Sequence, residues 1–144
     1  MKIKSSHLGL ILILIMLVSS LATQRFYYPS ARIALPEKSI IDYQLTPEQE
    51  IYLIQKGYTV ILFKYSLTCD NCLDVKTSLE QFTTSDNRHQ IILEEIESPV
   101  DVSNITISSM KGEENLINAT IENVTDTLCE ILIYPPVECA LREV

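Results

Sequence analysis

The sequence predicts a small α/β domain behind an apolar N-terminal segment. A β-branched and aromatic run at Tyr58–Tyr65 is followed closely by a helical period from about Asn71 to Thr83. Further short segments with strand composition follow, and then a last segment with apolar residues at helical spacing. The chain has 144 residues. Without the apolar segment, roughly 100 residues remain, which is enough for one hydrophobic core.

Residues 1–25 have the pattern of a secretory signal peptide or of a retained membrane anchor. Lys2 and Lys4 precede an apolar run from Leu8 to Ala22. That run is shorter than the roughly 20 residues that cross a bilayer as a helix, and it ends in the small residues that a signal peptidase favours. Both interpretations place the rest of the chain outside the cytoplasm, because the lysines stay inside. We therefore expect a cell-membrane or secreted protein.

The composition excludes several classes of site. A net charge of −8 argues against nucleic acid as a partner, because no basic stripe is available to neutralise phosphates. Only three glycines are present, and the glycine-rich phosphate loops and the HExxH zinc motif are absent. We predict no metal and no cofactor.

Residues 26–45 are interpreted as a spacer between the membrane and the domain. Pro29 and Pro36 interrupt them, and their polar residues follow neither a helical nor a strand period. The folded domain is therefore expected over residues 46–144.

A helix is expected to open the domain. Thr46 can cap its N-terminus, Pro47 suits the first helical position, and Gln49 completes a capping box. Gly57 ends this helix. The run Tyr58–Tyr65 then predicts a strand that is buried on both faces.

The spacing and type of the apolar residues predict the remaining helices and strands. Apolar residues at helical spacing predict a helix from about Asn71 to Thr83, and a last helix before Pro135. Three more strands are predicted, at Gln90–Ile96, Asn104–Met110 and Asn115–Asn118. The predicted order is α-β-α-β-β-β-α, with a central mixed sheet of about four strands flanked by helices.

A CxxC pair, Cys69 and Cys72, lies where the buried strand gives way to the helix. The N–H groups and dipole at a helix N-terminus favour negative charge, so we expect a lowered pKa for the Cys69 thiol. Cys72 lies one turn into the helix, close enough to resolve a mixed disulfide. This position favours a redox dithiol. A closed, inert bridge is the alternative, because exported proteins commonly hold their cysteines as disulfides.

The strand–CxxC–helix unit, VILFKYSLTCDNCLDVKTSLEQF, resembles the active-site unit of the thioredoxin-like superfamily. With the following hairpin and terminal helix, the resemblance covers residues 46–134. It implies a trimmed thioredoxin-like fold and a thiol–disulfide oxidoreductase whose partners are protein thiols or disulfides. In such an enzyme Cys69 is the nucleophile and Cys72 the resolving cysteine. The alternative is a non-enzymatic, disulfide-stabilised interaction module on the same fold.

The chain departs from the thioredoxin pattern at several positions. Thr68 replaces the aromatic residue before the first cysteine, and Thr77 replaces the proline that kinks the active-site helix. Phe63 occupies the position of the family's buried acid, so proton transfer at Cys72 needs another group. One helix of that fold is missing after the second predicted strand. Pro99 is the only candidate for the cis-proline that faces the dithiol.

The second cysteine pair, Cys129 and Cys139, is expected to form a structural disulfide. The two residues are separated by the proline stop at Pro135, so the chain can fold back and pin its tail to the last helix. Closing a loop of this length stabilises a fold by about 2–3 kcal/mol. A second redox pair is the alternative.

Three asparagines begin N-x-[ST] triplets and are candidate glycosylation sites: Asn104, Asn118 and Asn123. They agree with an extracytoplasmic domain. Because such triplets also arise by chance in a chain rich in Asn and Thr, the sequence leaves their use open.

The direction of electron transfer is left open as well. Asp70, beside the predicted nucleophile, opposes thiolate formation and favours a reductant. An extracytoplasmic location favours oxidation or isomerisation instead.

Overall fold

The computed structural model describes residues 33–69, 71–86, 88–99 and 103–140. The predicted signal or anchor, residues 1–25, lies outside the described residues, as does the first part of the predicted spacer. None of the described helices is long and apolar enough to cross a bilayer.

One mixed sheet carries the described domain, and helices pack against both of its faces. The elements follow one another in chain order as β1 (Ile40–Ile41), α1 (Pro47–Gln55), β2 (Thr59–Tyr65), α2 (Cys72–Ser85), β3 (Ile91–Glu97), β4 (Asn104–Ser109), β5 (Gly112–Ile117), α3 (Ile121–Ile131) and α4 (Val137–Ala140). Across the sheet, the five strands of the described chain are ordered β1-β3-β2-β4-β5.

The central strand is β2, which the sequence predicts to be buried on both faces. It pairs in parallel with β3 and antiparallel with β4, so that Ile61 lies between Leu93 and Ile107. All three side chains are fully buried. This arrangement confirms the predicted α/β class, and the sheet, the hairpin and the terminal helix form a thioredoxin-like fold.

The two faces of the sheet have separate cores. The larger core contains Phe63 of β2, Leu79 of α2 and Leu128 of α3. The smaller core, on the opposite face, includes Leu53 of α1 packed with Val60 of β2. Helices α2 and α3 therefore share one face, and α1 covers the other.

Helix α1 begins and ends at the residues that the sequence indicates. The Thr46 hydroxyl accepts a hydrogen bond from the Gln49 amide at 3.3 Å, and the Gln49 side chain accepts one from the Thr46 amide at 2.9 Å. Gly57 has a φ of +90°, a conformation that glycine adopts without strain. The tight turn at Gly57 leads the chain directly into β2.

The first strand, β1, lies in the segment that the sequence analysis assigns to the spacer. Ile40 and Ile41 pair in parallel with Leu93 and Glu94 of β3. A two-residue strand is too short to show a period, and its partner lies about 50 residues away along the chain. The folded domain thus begins before residue 46, and the sheet has one strand more than predicted.

The connection from β3 to β4 contains no helix in the residues described. Glu97 at the end of β3 and Asn104 at the start of β4 both lie at the C-terminal end of β2, on its two sides. Residues 98–103 join the two strands, and the structure describes Ser98, Pro99 and Ser103 of them. The Ser98 amide donates a hydrogen bond to the Tyr65 carbonyl at 2.7 Å, which anchors the start of the segment.

The prediction of a cis-proline at Pro99 is wrong, because none of the peptide bonds between described residues is cis. Pro99 follows β3 by two residues instead of leading into β4. An X–Pro bond prefers trans by about 0.5–1 kcal/mol unless packing selects the cis form.

Candidate functional site

The candidate site is the Cys69–Cys72 disulfide at the C-terminal end of β2. The structure bonds the two sulfur atoms and holds the two Cα atoms 5.4 Å apart. Cys72 is the first residue of α2, and Cys69 lies in the short loop that precedes it. The strand–helix junction inferred from the sequence is therefore present.

The two cysteines differ in their access to solvent. Cys72 is 0% exposed and belongs to the larger core. Cys69 is only partly buried and packs at the edge of that core. A partner molecule can thus approach the sulfur of Cys69 more readily than that of Cys72.

Side-chain and backbone hydrogen bonds fix the loop before the disulfide. The Ser66 and Thr68 hydroxyls lie 2.8 Å apart, and the Thr68 amide donates to the Ser66 hydroxyl at 3.2 Å. The Cys69 amide donates to the Ser66 carbonyl at 3.3 Å. The Thr68 that replaces an aromatic residue thus helps to position Cys69.

The N-terminus of α2 provides the electrostatic environment of the disulfide. The helix has 14 residues, and the side chain of Asn71 at its N-cap position makes no capping hydrogen bond. The helix dipole favours a negative charge at this end. Asp74 in the first turn opposes that charge. Asp70, which the sequence analysis also counts against a thiolate, lies outside the described residues.

An aromatic pair lies in the same core as Cys72. The rings of Phe63 and Tyr65 are stacked, with centroids 5.0 Å apart. Phe63 is fully buried, at the position where thioredoxins have a buried acidic residue. No carboxylate therefore lies at this position of β2.

The sequence analysis missed an ionic cluster beside this core. Glu95 of β3 forms a salt bridge with Lys76 of α2, with a distance of 3.0 Å between Oε2 and Nζ. The Lys76 ammonium also donates to the Tyr65 hydroxyl at 3.1 Å and lies over the Tyr65 ring. The signals in the sequence are the position of Lys76, four residues after Cys72, and the position of Glu95 within a buried strand.

Burial changes the ionisation of this cluster. Desolvation raises the pKa of the Glu95 carboxyl above its ordinary value of 4.5, against the opposing hydrogen bond from Lys76. The same hydrogen bond raises the pKa of the Lys76 ammonium. Lys76 therefore stays charged at neutral pH.

The second disulfide lies at the other end of the domain. Cys129 in α3 is bonded to Cys139 in α4, with the Cα atoms 5.4 Å apart. The C-terminal end of α3 meets the end of β4, where the Ser109 hydroxyl donates to the Ile131 carbonyl at 3.0 Å. Because β4 runs antiparallel to β2, this contact is remote from the Cys69 end of the sheet.

The three candidate glycosylation sites lie at the same end of the sheet as the first disulfide. Asn104 begins β4, opposite Ile117 at the end of β5. Asn118 follows directly, and Asn123 lies in the first turn of α3. All three asparagines are exposed, and the Asn123 side chain accepts a hydrogen bond from the Thr120 amide at 2.8 Å.

Comparisons with known proteins give distant structural likenesses. No family model matches the chain, and no curated protein matches it significantly. Trxlp from Edwardsiella tarda is 12% identical, with a TM-score of 0.48 over 62% of this chain and 97% of its own. The first thioredoxin domain of mouse protein disulfide-isomerase A4 is 16% identical, with a TM-score of 0.40 over 76% of this chain and 89% of its own. Because both TM-scores lie below 0.5, the thioredoxin-like fold is assigned from the strand order and from the position of the disulfide instead.

Proposed function

We propose that this domain is a thiol–disulfide oxidoreductase that exchanges disulfides with protein partners. The observation that carries the proposal is the unequal burial of two bonded cysteines at a helix N-terminus. Cys69 is partly accessible, whereas Cys72 is completely buried. An inert staple does not require this asymmetry, but an attacking thiol and a resolving thiol do.

The proposed exchange runs through a mixed disulfide. In the reduced protein, the Cys69 thiolate attacks a sulfur of a partner's disulfide and releases the other partner sulfur as a thiolate. Cys72 then attacks Cys69, forms the Cys69–Cys72 bond and releases the second partner sulfur. The partner gains two electrons and the domain loses two. The reverse sequence oxidises a partner dithiol.

Two apolar side chains support a protein partner. Leu67 is 61% exposed and Leu73 is 53% exposed, and they lie on either side of the disulfide in sequence. Exposed leucines beside a reactive sulfur favour contact with apolar segments of unfolded or flexible polypeptides.

The proposed location is the extracytoplasmic side of a membrane. The support is the lysine-flanked apolar run at the N-terminus, together with two disulfides among the described residues. Disulfides persist in oxidising compartments and are rare in the cytosol.

The test is a titration of the thiols combined with an exchange assay. In protein reduced only at Cys69 and Cys72, we expect the pKa of the Cys69 thiol to lie below that of a free cysteine, about 8.5. The domain should then accelerate reduction of a peptide disulfide by dithiothreitol. Cys69→Ser should abolish the acceleration, and a Cys129→Ser/Cys139→Ser double variant should retain it. An unreactive Cys69 in folded protein would favour the interaction module instead.

A further inference from the structure

An open cavity of about 420 Å³ lies at the N-terminal end of β2, at the other end of this strand from Cys69. Two cations contribute to its lining: Lys56, directly after α1, and Arg88, shortly before β3. None of the described residues that line the cavity is acidic, although the chain has a net charge of −8. A local concentration of cations on an acidic protein favours an anionic partner.

Neighbouring acids do not neutralise these two cations. Neither Lys56 nor Arg88 forms a salt bridge with a described acid. Asp86, two residues before Arg88, uses its carboxylate to accept backbone amides, among them the Arg88 amide at 3.1 Å. The Arg88 guanidinium lies over the Tyr134 ring, 4.7 Å from its centroid, and the Lys56 ammonium lies 5.4 Å from the centroid of the Tyr52 ring. A cation over a ring keeps N–H donors for a second partner, so both charges remain available to an anion.

Hydrogen bonds and a disulfide hold the walls of the cavity in place. The Gln90 side-chain amide donates to the Tyr134 carbonyl at 2.9 Å, and the Thr59 amide donates to the Gln90 carbonyl at 2.7 Å. Tyr134 also lies within the loop that the Cys129–Cys139 disulfide closes. A surface that is fixed before binding loses less conformational entropy when a partner docks.

The apolar side chains around the cavity favour a polypeptide as its occupant. Tyr134 is 56% exposed and Met110 is 64% exposed, while Tyr58 and Ile133 form half-buried parts of the lining. Tyrosine, methionine and arginine are enriched at protein–protein interfaces. A small-molecule site buries most of its ligand, whereas an open cavity covers one side of it and suits a segment of chain.

We propose that this cavity docks an acidic segment of a partner polypeptide. Carboxylates of the segment pair with Lys56 and Arg88, and an apolar side chain between them packs against Tyr134. Because β2 has seven residues, the cavity lies about 20 Å from the end of the sheet that holds the Cys69–Cys72 disulfide. A docked partner therefore leaves the disulfide accessible, and the inference does not depend on the exchange function.

The direct test is the binding of a labelled peptide to the full-length, oxidised protein in a non-ionic detergent. The probe has two glutamates on each side of a leucine, and its control has glutamine in place of every glutamate. Fluorescence anisotropy should give a dissociation constant at least about tenfold lower for the glutamate peptide, and added salt should reduce the difference. Equal binding of the two peptides, or no binding of either, would overturn the proposal.

Two substitutions test the assigned lining. Arg88→Gln and Tyr134→Ser should each weaken binding of the glutamate peptide at least about fivefold, as expected for a central interface residue. Both side chains are exposed, so the fold should tolerate either change. Lys38→Gln is the matched control, because Lys38 is an exposed cation that lines a different cavity, beside β1. Unchanged binding by Arg88→Gln, or an equal loss in Lys38→Gln, would contradict the assigned site.

Amide chemical shifts locate the peptide without any substitution. In ¹⁵N spectra of the wild-type protein, the shifts caused by the glutamate peptide should centre on Gly57, Arg88 and Tyr134 and leave Cys69 unchanged. Shifts centred on Cys69 would place the acidic segment at the disulfide and overturn the proposal.

A membrane surface is the other anionic partner that the test must separate. Vesicles that contain phosphatidylglycerol serve as the second probe, with Arg88→Gln as the variant. If the vesicles bind through Arg88 while the glutamate peptide does not bind, the surface contacts lipid and the proposal is wrong.

Discussion

Glu94 and Glu95 are consecutive residues of β3 whose carboxyl groups are buried on opposite faces of the sheet. Glu94 accepts a hydrogen bond from the Leu45 amide just before α1, and Glu95 forms an ion pair with Lys76 of α2. Each acid therefore ties a different helix to the central sheet. Both side chains are therefore largely internal, although the two acids are adjacent in the sequence.

Replacing Glu94 with glutamine should stabilise the protein at neutral pH. Desolvation raises the pKa of the Glu94 carboxyl above 4.5, and glutamine can still accept the hydrogen bond from Leu45. A raised pKa in the folded state gives stability that is fully present below about pH 4.5 and is lost as the pH rises through the folded value. We expect Glu94→Gln to raise the free energy of unfolding by on the order of 1 kcal/mol at pH 7.

Urea unfolding across the acid-to-neutral range measures this effect. The gain from Glu94→Gln should vanish near pH 4, where the wild-type carboxyl is protonated as well. Glu114→Gln, at an exposed position of β5, is the surface control and should change the free energy of unfolding at pH 7 by less than about 0.5 kcal/mol. A loss of stability at pH 7 in Glu94→Gln would show that the carboxylate is favourable where it is buried.

Replacing Cys69 and replacing Cys72 should give different amounts of trapped partner. Cys72→Ser leaves the accessible Cys69 to form mixed disulfides that cannot be resolved, so these should accumulate. Cys69→Ser leaves only a fully buried thiol and should trap few or none. Non-reducing electrophoresis of extracts, followed by reduction, measures both. Equal trapping by the two variants would contradict the assigned roles.

The two disulfides should open in a fixed order. The Cys69–Cys72 pair lies at a helix N-terminus that stabilises the reduced thiolate, which raises its reduction potential. The Cys129–Cys139 pair links α3 to α4 away from that helix end and should open last. Protein poised in glutathione buffers and then alkylated should carry its first two labels at Cys69 and Cys72.

Removing the second disulfide should affect stability more than exchange. Its loss should lower the free energy of unfolding by about 2–3 kcal/mol, because the unfolded chain regains the freedom of the closed loop. Urea unfolding and the dithiothreitol-driven exchange assay measure the two effects separately. If exchange were abolished while the fold remained intact, this pair would belong to the electron path.

The topology of the chain can be tested with protease. Lys2 and Lys4 before the apolar run predict that the domain faces away from the cytoplasm. Protease added to intact cells or right-side-out vesicles should therefore reach the domain. Opened vesicles provide the positive control, and full protection before opening would contradict the prediction.

Local patterns in the sequence determined much of the fold. The capping box at Thr46 and the run at Tyr58–Tyr65 fix a helix and the central strand, because capping bonds and strand burial depend on neighbouring residues. The CxxC pair lies at the predicted junction for the same reason. These features led from sequence alone to a thioredoxin-like domain with a dithiol at Cys69 and Cys72.

Only the tertiary structure decided the features that depend on distant partners. Ile40–Ile41 forms a strand because β3 lies beside it, and Pro99, two residues after β3, has no cis bond. Glu95 is largely internal because α2 covers it, although Glu94 precedes it and Glu97 follows two residues later. Burial and pairing are set by contacts between segments far apart in the chain, so the local sequence does not show that this carboxyl is internal.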